Sequence, residues 1–201
     1  MNRIRLKQGI AILFSLMVLF SPGANGQKLS GGSKLGINIS NAKIKQAGVS
    51  QSSEATPGVH IGIYLKIVLS DKLNIQPEVL YSQQGHGRDI NKEFINYCNI
   101  PIMMGYQFTK ALSLQAGPQI GLLLLAMDNH NQYIKNALND LNLSIGIGLG
   151  LDLPAGFNLS TRYVSGLTND ANLKAIGMSP GELKFTQSNI MFSIGYRLFS
   201  D

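Results

Sequence analysis

Residues Asp140 to Pro154 read DLNLSIGIGLGLDLP, and the alternation in them is unbroken. Leu141, Leu143, Ile145, Ile147, Leu149, Leu151 and Leu153 take one parity, while Asn142, Ser144, Gly146, Gly148, Gly150 and Asp152 take the other. In a β-strand these are opposite faces. A soluble antiparallel sheet also alternates, but its watered face normally carries sizeable polar side chains, and repeated glycine weakens a strand. A strand aliphatic along one whole side and nearly bare on the other fits a transmembrane barrel. There the first side meets lipid and the second faces a narrow, crowded lumen.

The pattern recurs along the chain. Eight segments alternate, at roughly 33–40, 57–69, 73–84, 94–108, 111–125, 140–153, 156–168 and 185–199. Most reach the ~9–11 residues that a tilted strand needs to cross a bilayer. Their connections alternate in length: SDK (70–72), TKA (109–111) and PAG (154–156) are tight turns, whereas the links near 41–56, 85–93, 126–139 and 169–184 are longer and polar. Bacterial barrels have this asymmetry, with short periplasmic turns and longer extracellular loops. Phe108, Phe157 and Tyr196 fall near the short turns, and Tyr81 and Tyr163 toward the long loops, where interfacial girdles sit. Pro77, Pro101 and Pro118 fall inside strands. Each removes a ladder donor, so a bulge or local break is expected beside at least one of them.

The first residues give an address. MNRIRLK is basic, GIAILFSLMVLF is an apolar run too short to span a bilayer comfortably, and SPGANG puts Ala24 and Gly26 at the small-residue positions of a cleavage site before Gln27. The expectation is a cleaved signal over residues 1–26 and a barrel domain over 27–201. Without Arg3, Arg5 and Lys7 the 17 basic residues fall to 14 against 11 acidic ones, a net charge of +3. No basic run remains to track a phosphate backbone, so nucleic acid is not an expected partner. The single Cys98 excludes an intrachain disulfide. By parity it lies on the outer face, as a small apolar residue rather than a reactive thiol.

Parity also assigns the lumen. His60, Tyr64, Lys66, Glu78, Asp152, Arg162 and Arg197 should face inward as a polar network. Enclosed charges must pair or be hydrated, so Glu78 is expected to take Lys66, Arg162 or Arg197 as a partner. Such a network fills and fixes the barrel; the alternative is a gated ion path. No cofactor, metal site or catalytic set is expected. GIGLG lies mid-strand and opens no helix, which denies it a phosphate-loop role. Asp128, Asn129, His130 and Asn131 read as a polar loop tip rather than a cation site. His86 and His130 have acidic neighbours in long loops, but nearness in sequence does not give a base-and-orienter geometry. The chain is therefore not expected to be an enzyme.

Three segments, LSDKLNIQPEVLYSQQG, NIPIMMGYQFTKALSLQAGPQIGLLL and GLGLDLPAGFNLSTRYVSGLTN, resemble the PorT-like outer-membrane β-barrel family of the Bacteroidetes, a likeness running from about Lys34 to Phe199. The resemblance implies an all-β, eight-stranded antiparallel up-and-down transmembrane barrel in the outer membrane of a Gram-negative cell. It also implies, for the family's namesake, an association with protein secretion. The closing NIMFSIGYRLF looks like the terminal strand that barrel-assembly machinery reads, although Ser200 and Asp201 follow it. Function is expected in the loops, since binding residues concentrate on loops held by rigid scaffolds. Within 126–139, Tyr133, Ile134, Ala137 and Leu138 are spaced for a short amphipathic helix over the barrel mouth. The expected protein is a monomer contacting outer-membrane lipid, with secretion or envelope proteins as loop partners. A secretion component, a narrow channel and an interfacial lipid-modifying enzyme are the alternatives, in that order.

Overall fold

A strand that is aliphatic on one side for its full length is stable only where that side avoids water. A sheet of such strands leaves no unpaired edge only if it closes. The computed structural model describes residues 28–46, 48–88, 91–127, 132–173, 175, 177–179 and 182–200. It shows this closure. The strands are β1 (Leu29–Gln46), β2 (Val49–Ser52), β3 (Thr56–Val68), β4 (Leu73–Arg88), β5 (Asn91–Gln107), β6 (Leu112–Met127), β7 (Leu141–Asp152), β8 (Phe157–Gly166) and β9 (Leu183–Ser200). Every neighbouring pair is antiparallel, and β1 pairs with β9 from Ser30↔Ser200 to Gln46↔Leu183, so eight strands form a barrel. The short β2 only folds back on the far end of β1, from Lys43↔Ser52 to Gln46↔Val49.

The outside of the barrel is formed by the aliphatic parity of its strands. Leu35, Ile61 and Ile147 are more than half exposed, at 59%, 60% and 53%, and the rest of the β7 row faces outward with them. Phe157 packs on Tyr196 with ring centroids 5.1 Å apart, and Tyr106 on Phe108 at 5.3 Å, all four at the short-turn end. The tight turns are closed by Leu69 N–H to Leu73 O (2.8 Å), Phe108 N–H to Leu112 O (2.9 Å) and Leu153 N–H to Phe157 O (2.8 Å). The last of these turns needs left-handed backbone at two residues, Ala155 (φ 61°) and Gly156 (φ 85°).

Each proline interrupts one ladder without changing its register. The β3–β4 pairing runs to Tyr64↔Glu78 and resumes at Ile67↔Ile75, skipping Pro77. The β4–β5 ladder skips Pro101 between Pro77↔Ile102 and Leu80↔Asn99, and the β5–β6 ladder skips Pro118 between Pro101↔Gln119 and Met104↔Ala116. The missing N–H groups are thus staggered one strand apart, and no two fall in the same ladder. The bulges lie elsewhere, at Leu124 of β6 opposite Asn96 and Tyr97 and at Leu198 of β9 opposite Gly31 and Gly32.

Two of the expected loops are largely strand. The β4–β5 hairpin pairs as far as Arg88↔Asn91, which takes in most of 85–93, and β1 continues to Gln46 before β2 returns. Beyond the apolar band both faces of a strand are watered, so the alternation that marks a strand fades while the backbone pairing persists. The expected signal, residues 1–26, lies outside the described residues.

Closure of β1 on β9 gives a direct test. In a Cys98→Ser background, Ile37→Cys with Phe192→Cys places two thiols at directly opposed positions, within the ~4.4–6.8 Å Cα spacing a disulfide accepts. Oxidation should give an intramolecular bridge in nearly all folded molecules, read by mass spectrometry. An open sheet would leave both thiols free.

Candidate functional site in the barrel lumen

The glycines of β7 make room for an arginine. A Cβ on Gly146 would meet Arg162 Cδ at 3.2 Å, and one on Gly148 would meet the Thr161 carbonyl oxygen at 2.2 Å. The bare face of DLNLSIGIGLGLDLP is therefore the trough along which Arg162 of β8 reaches into the lumen. At its end is Glu78 on β4. Arg162 Nη1 donates to Glu78 Oε2 (3.1 Å) and Nη2 to Oε1 (2.9 Å). With eight strands in the ring, β4 and β8 stand opposite one another, so this fork crosses the lumen. Lys34 Nζ donates to Glu78 Oε1 at 2.7 Å, as does Gln76 Nε2 at 2.7 Å, and Arg162 Nη2 also reaches Gln115 Oε1 (3.3 Å). Lys34, Glu78 and Arg162 are all buried. Two cations on one carboxylate leave an excess positive charge, and only bidentate, hydrogen-bonded geometry makes such burial tolerable. Lys34 was absent from the residues assigned by parity, although its place beside outward Leu35 is the signal that finds it.

A second cluster joins β1, β3 and β9. His60 Nδ1 lies 2.7 Å from Asn38 Oδ1, and His60 Nε2 lies 2.8 Å from Ser193 Oγ. Asn38 Nδ2 donates to Ser82 Oγ (2.9 Å) and Gln83 O (2.9 Å), so Asn38 Oδ1 is the acceptor. His60 Nδ1 then carries the proton, and Nε2 accepts from the Ser193 hydroxyl. This is the hydroxyl, base and orienter order of a nucleophilic triad. The sequence hid it, because the three residues come from distant strands. Ser193 is 8% exposed, and it lines neither of the cavities described below. The cluster ties the β9–β1–β3 seam.

Above these layers the lumen ends in an apolar plug. Ala42, Ile95, Tyr97, Leu123, Ala126 and Phe185 point inward from four strands and pack with Leu138 and Ala171 from the two long links. Those links are stitched together: Asn139 N–H donates to Asp170 O (2.8 Å) and Asn172 N–H to Ala137 O (2.8 Å). Lys135 Nζ donates to Leu123 O at 2.8 Å. The expected amphipathic helix is one 3-10 turn, Lys135–Ala137; Leu138 joins the plug, Ile134 packs against it, and Tyr133 is exposed. Between plug and charges a polar space of about 20 Å³ lies among Gln84, Asn99, Gln119, Asn142, Ser144 and Asn189. That is room for one water.

Toward the short turns the lumen widens into a vestibule of about 260 Å³. Lys66 Nζ pairs there with Asp152 Oδ2 (2.6 Å), Tyr64 Oη accepts from Asn158 Nδ2 (2.9 Å), and Lys34 Nζ sits 5.7 Å from the Tyr64 ring centroid. Arg197 lines the vestibule and is exposed rather than paired with Glu78. Cys98 is a partly buried free thiol. His130 lies outside the described residues, and His86 contributes a backbone pairing to Glu93 in the β4–β5 hairpin.

A family model described as outer membrane protein beta-barrel domain matches residues 23–171. No curated protein matches the sequence. Among solved structures, Neisserial surface protein A is similar at 10% identity over 82% of this chain and 96% of that one, with a TM-score of 0.51. Ail, the attachment invasion locus protein of Yersinia pestis, is similar at 12% identity over 87% of this chain and 100% of that one, with a TM-score of 0.49. The outer membrane enzyme PagL is similar at 12% identity over 78% of this chain and 97% of that one, with a TM-score of 0.40. At these identities the likeness concerns the fold alone. The expectation that the chain is not an enzyme is withdrawn: an enzyme stands among the similar structures, so a barrel of this kind is no ground for excluding catalysis.

The charged layer makes unequal demands on its members. Glu78→Gln strands two buried cations and should lower unfolding free energy by ~3–5 kcal/mol. Lys34→Met leaves the balanced Arg162–Glu78 fork and should cost clearly less. Urea unfolding of the refolded protein measures both, and equal losses would contradict this arrangement. Likewise Gly148→Ala, facing backbone at 2.2 Å, should destabilise more than Gly146→Ala, which meets the flexible Arg162 side chain at 3.2 Å.

Proposed function

As the chain belongs to the outer membrane protein beta-barrel domain family, we propose that it is a shut outer-membrane barrel whose work is done by its outward loops, as a structural or interaction protein. The observation that carries this reading is the plug of Leu138, Ala171 and Phe185 with the inward residues of four strands, which joins both long links to the wall. A chain built to conduct would not fill its own mouth with apolar side chains, since a dewetted constriction bars ions. The Arg162–Glu78 fork obstructs the lumen a second time, below the plug. The same links form a folded outward platform, on which Tyr133 (75%) and Leu167 (60%) are exposed. Binding surfaces of this kind belong on loops held by a rigid frame.

In this reading residues 1–26 are the export signal, 27–201 the barrel, and β9 the strand that assembly machinery engages. The protein is then a monomer in contact with outer-membrane lipid. The PorT-like segments around Pro77, Pro101 and Pro118 favour a second reading, in which the loop partners belong to a protein-secretion apparatus.

Planar-bilayer recording on refolded protein is expected to give no stable open steps, and stable conductance would overturn the shut barrel. A photo-crosslinking residue at Tyr133 or Leu167, activated on intact cells, is expected to recover an envelope protein. Recovery of a secretion component would move the account to the second reading.

A further inference from the structure

We propose that the periplasmic vestibule is a binding site for a phosphate-type oxyanion. Among the described residues its walls carry Lys28, Lys66, Lys110 and Arg197 against one acid, Asp152, and Lys34 lies in its floor. Asp152 is already engaged by Lys66 at 2.6 Å. Among the described residues Lys28, Lys110 and Arg197 have no carboxylate partner. The floor adds to the excess, because Glu78 faces both Lys34 and Arg162. Free cations on a surface are ordinarily solvated and of no consequence. Here they converge on one concavity with low-dielectric walls, where the field of like charges is focused and counter-ions concentrate.

The arrangement suits a compact anion with several oxygens better than a lone carboxylate. Arg197, Lys28 and Lys66 come from the neighbouring β9, the segment before β1 and β3, and Lys110 comes from the β5–β6 turn across the ring, so cations face the space from two opposite sides. A tetrahedral phosphate presents oxygens to both sides at once, and arginine and lysine are its usual partners. At about 260 Å³ the vestibule has room for a hydrated phosphate group, given ~30 Å³ for each water. Two sources carry this chemistry to the mouth, a soluble phosphate of the periplasm and the headgroup of an inner-leaflet phospholipid. This site is independent of whether the barrel is shut above it.

The test uses the refolded full barrel in an uncharged detergent, titrated calorimetrically with inorganic pyrophosphate. The variant Lys28→Gln/Lys110→Gln/Arg197→Gln removes three cations that hold no ion pair. Lys43→Gln/Lys45→Gln/Lys184→Gln removes the same charge at the opposite mouth, and heat-modifiable gel mobility verifies folding of both. Saturable one-site binding is expected, weakened about tenfold or more by the first variant, the scale on which a like-signed cleft concentrates an ion, and unchanged by the second. In a second arm, nanodiscs containing phosphatidylglycerol are compared with phosphatidylcholine alone by native mass spectrometry. Phosphatidylglycerol retained by the native protein and lost from the first variant would assign the site to the headgroup. Binding in neither arm, or equal loss in both variants, would overturn the proposal.

Discussion

The rest of the interior is arranged around one carboxylate. Glu78 is fully enclosed and is met by Arg162 from the opposite wall and Lys34 from β1, with Gln76 and Gln115 completing the layer. A charge so placed has no solvent to fall back on, so its partners must be positioned by the frame rather than by their own flexibility. That requirement explains the bare face of β7. Gly146 and Gly148 leave the space through which Arg162 passes, and a wall with ordinary side chains would have forced the guanidinium elsewhere.

Above and below this layer the lumen differs in kind. Outward it becomes amide-rich and then apolar, where residues from both long links pack against the wall. Inward it opens into a vestibule with cations in excess. The two halves answer separate physical demands. The outward half packs against the loops, whose backbone would otherwise be ordered at an entropic cost with little packing in return. The inward half stays wet, which lets unpaired lysine and arginine persist there.

How far the sequence could be read follows from what parity does and does not encode. Alternation of period two gives the side of the wall on which a residue sits, and the outward rows of β1, β3 and β7 were legible on that ground alone. It does not give height in the barrel, which depends on strand stagger. Lys66 and Arg197 share parity with His60 and Ser193, yet they lie near the short turns, and so Lys66 meets Asp152 and Arg197 stands exposed. Lys34 alternates with outward Leu35, which gives its side of the wall, but nothing local to β1 pairs it with Glu78, 44 positions away. The Asn38–His60–Ser193 chain joins residues up to 155 positions apart, a relation that no local pattern carries. In the links, composition suggested watered loops. Of the link residues that form the plug, Leu138 was marked by the helical spacing of 133–138, whereas Ala171 stands in no periodic pattern.

In a shut barrel of this kind the lumen is reachable from one end only as far as its charged layer. Thiol accessibility measures this most directly, using single cysteines in a Cys98→Ser background with a membrane-impermeant maleimide on the folded, heat-modifiable barrel. Ser160→Cys lines the vestibule, and Ser82→Cys replaces a fully buried residue beside Asn38. Rapid labelling of the first is expected, and none of the second until the barrel is unfolded. Labelling of both in the folded state would contradict this and would mean that water and solutes pass the Arg162–Glu78 fork.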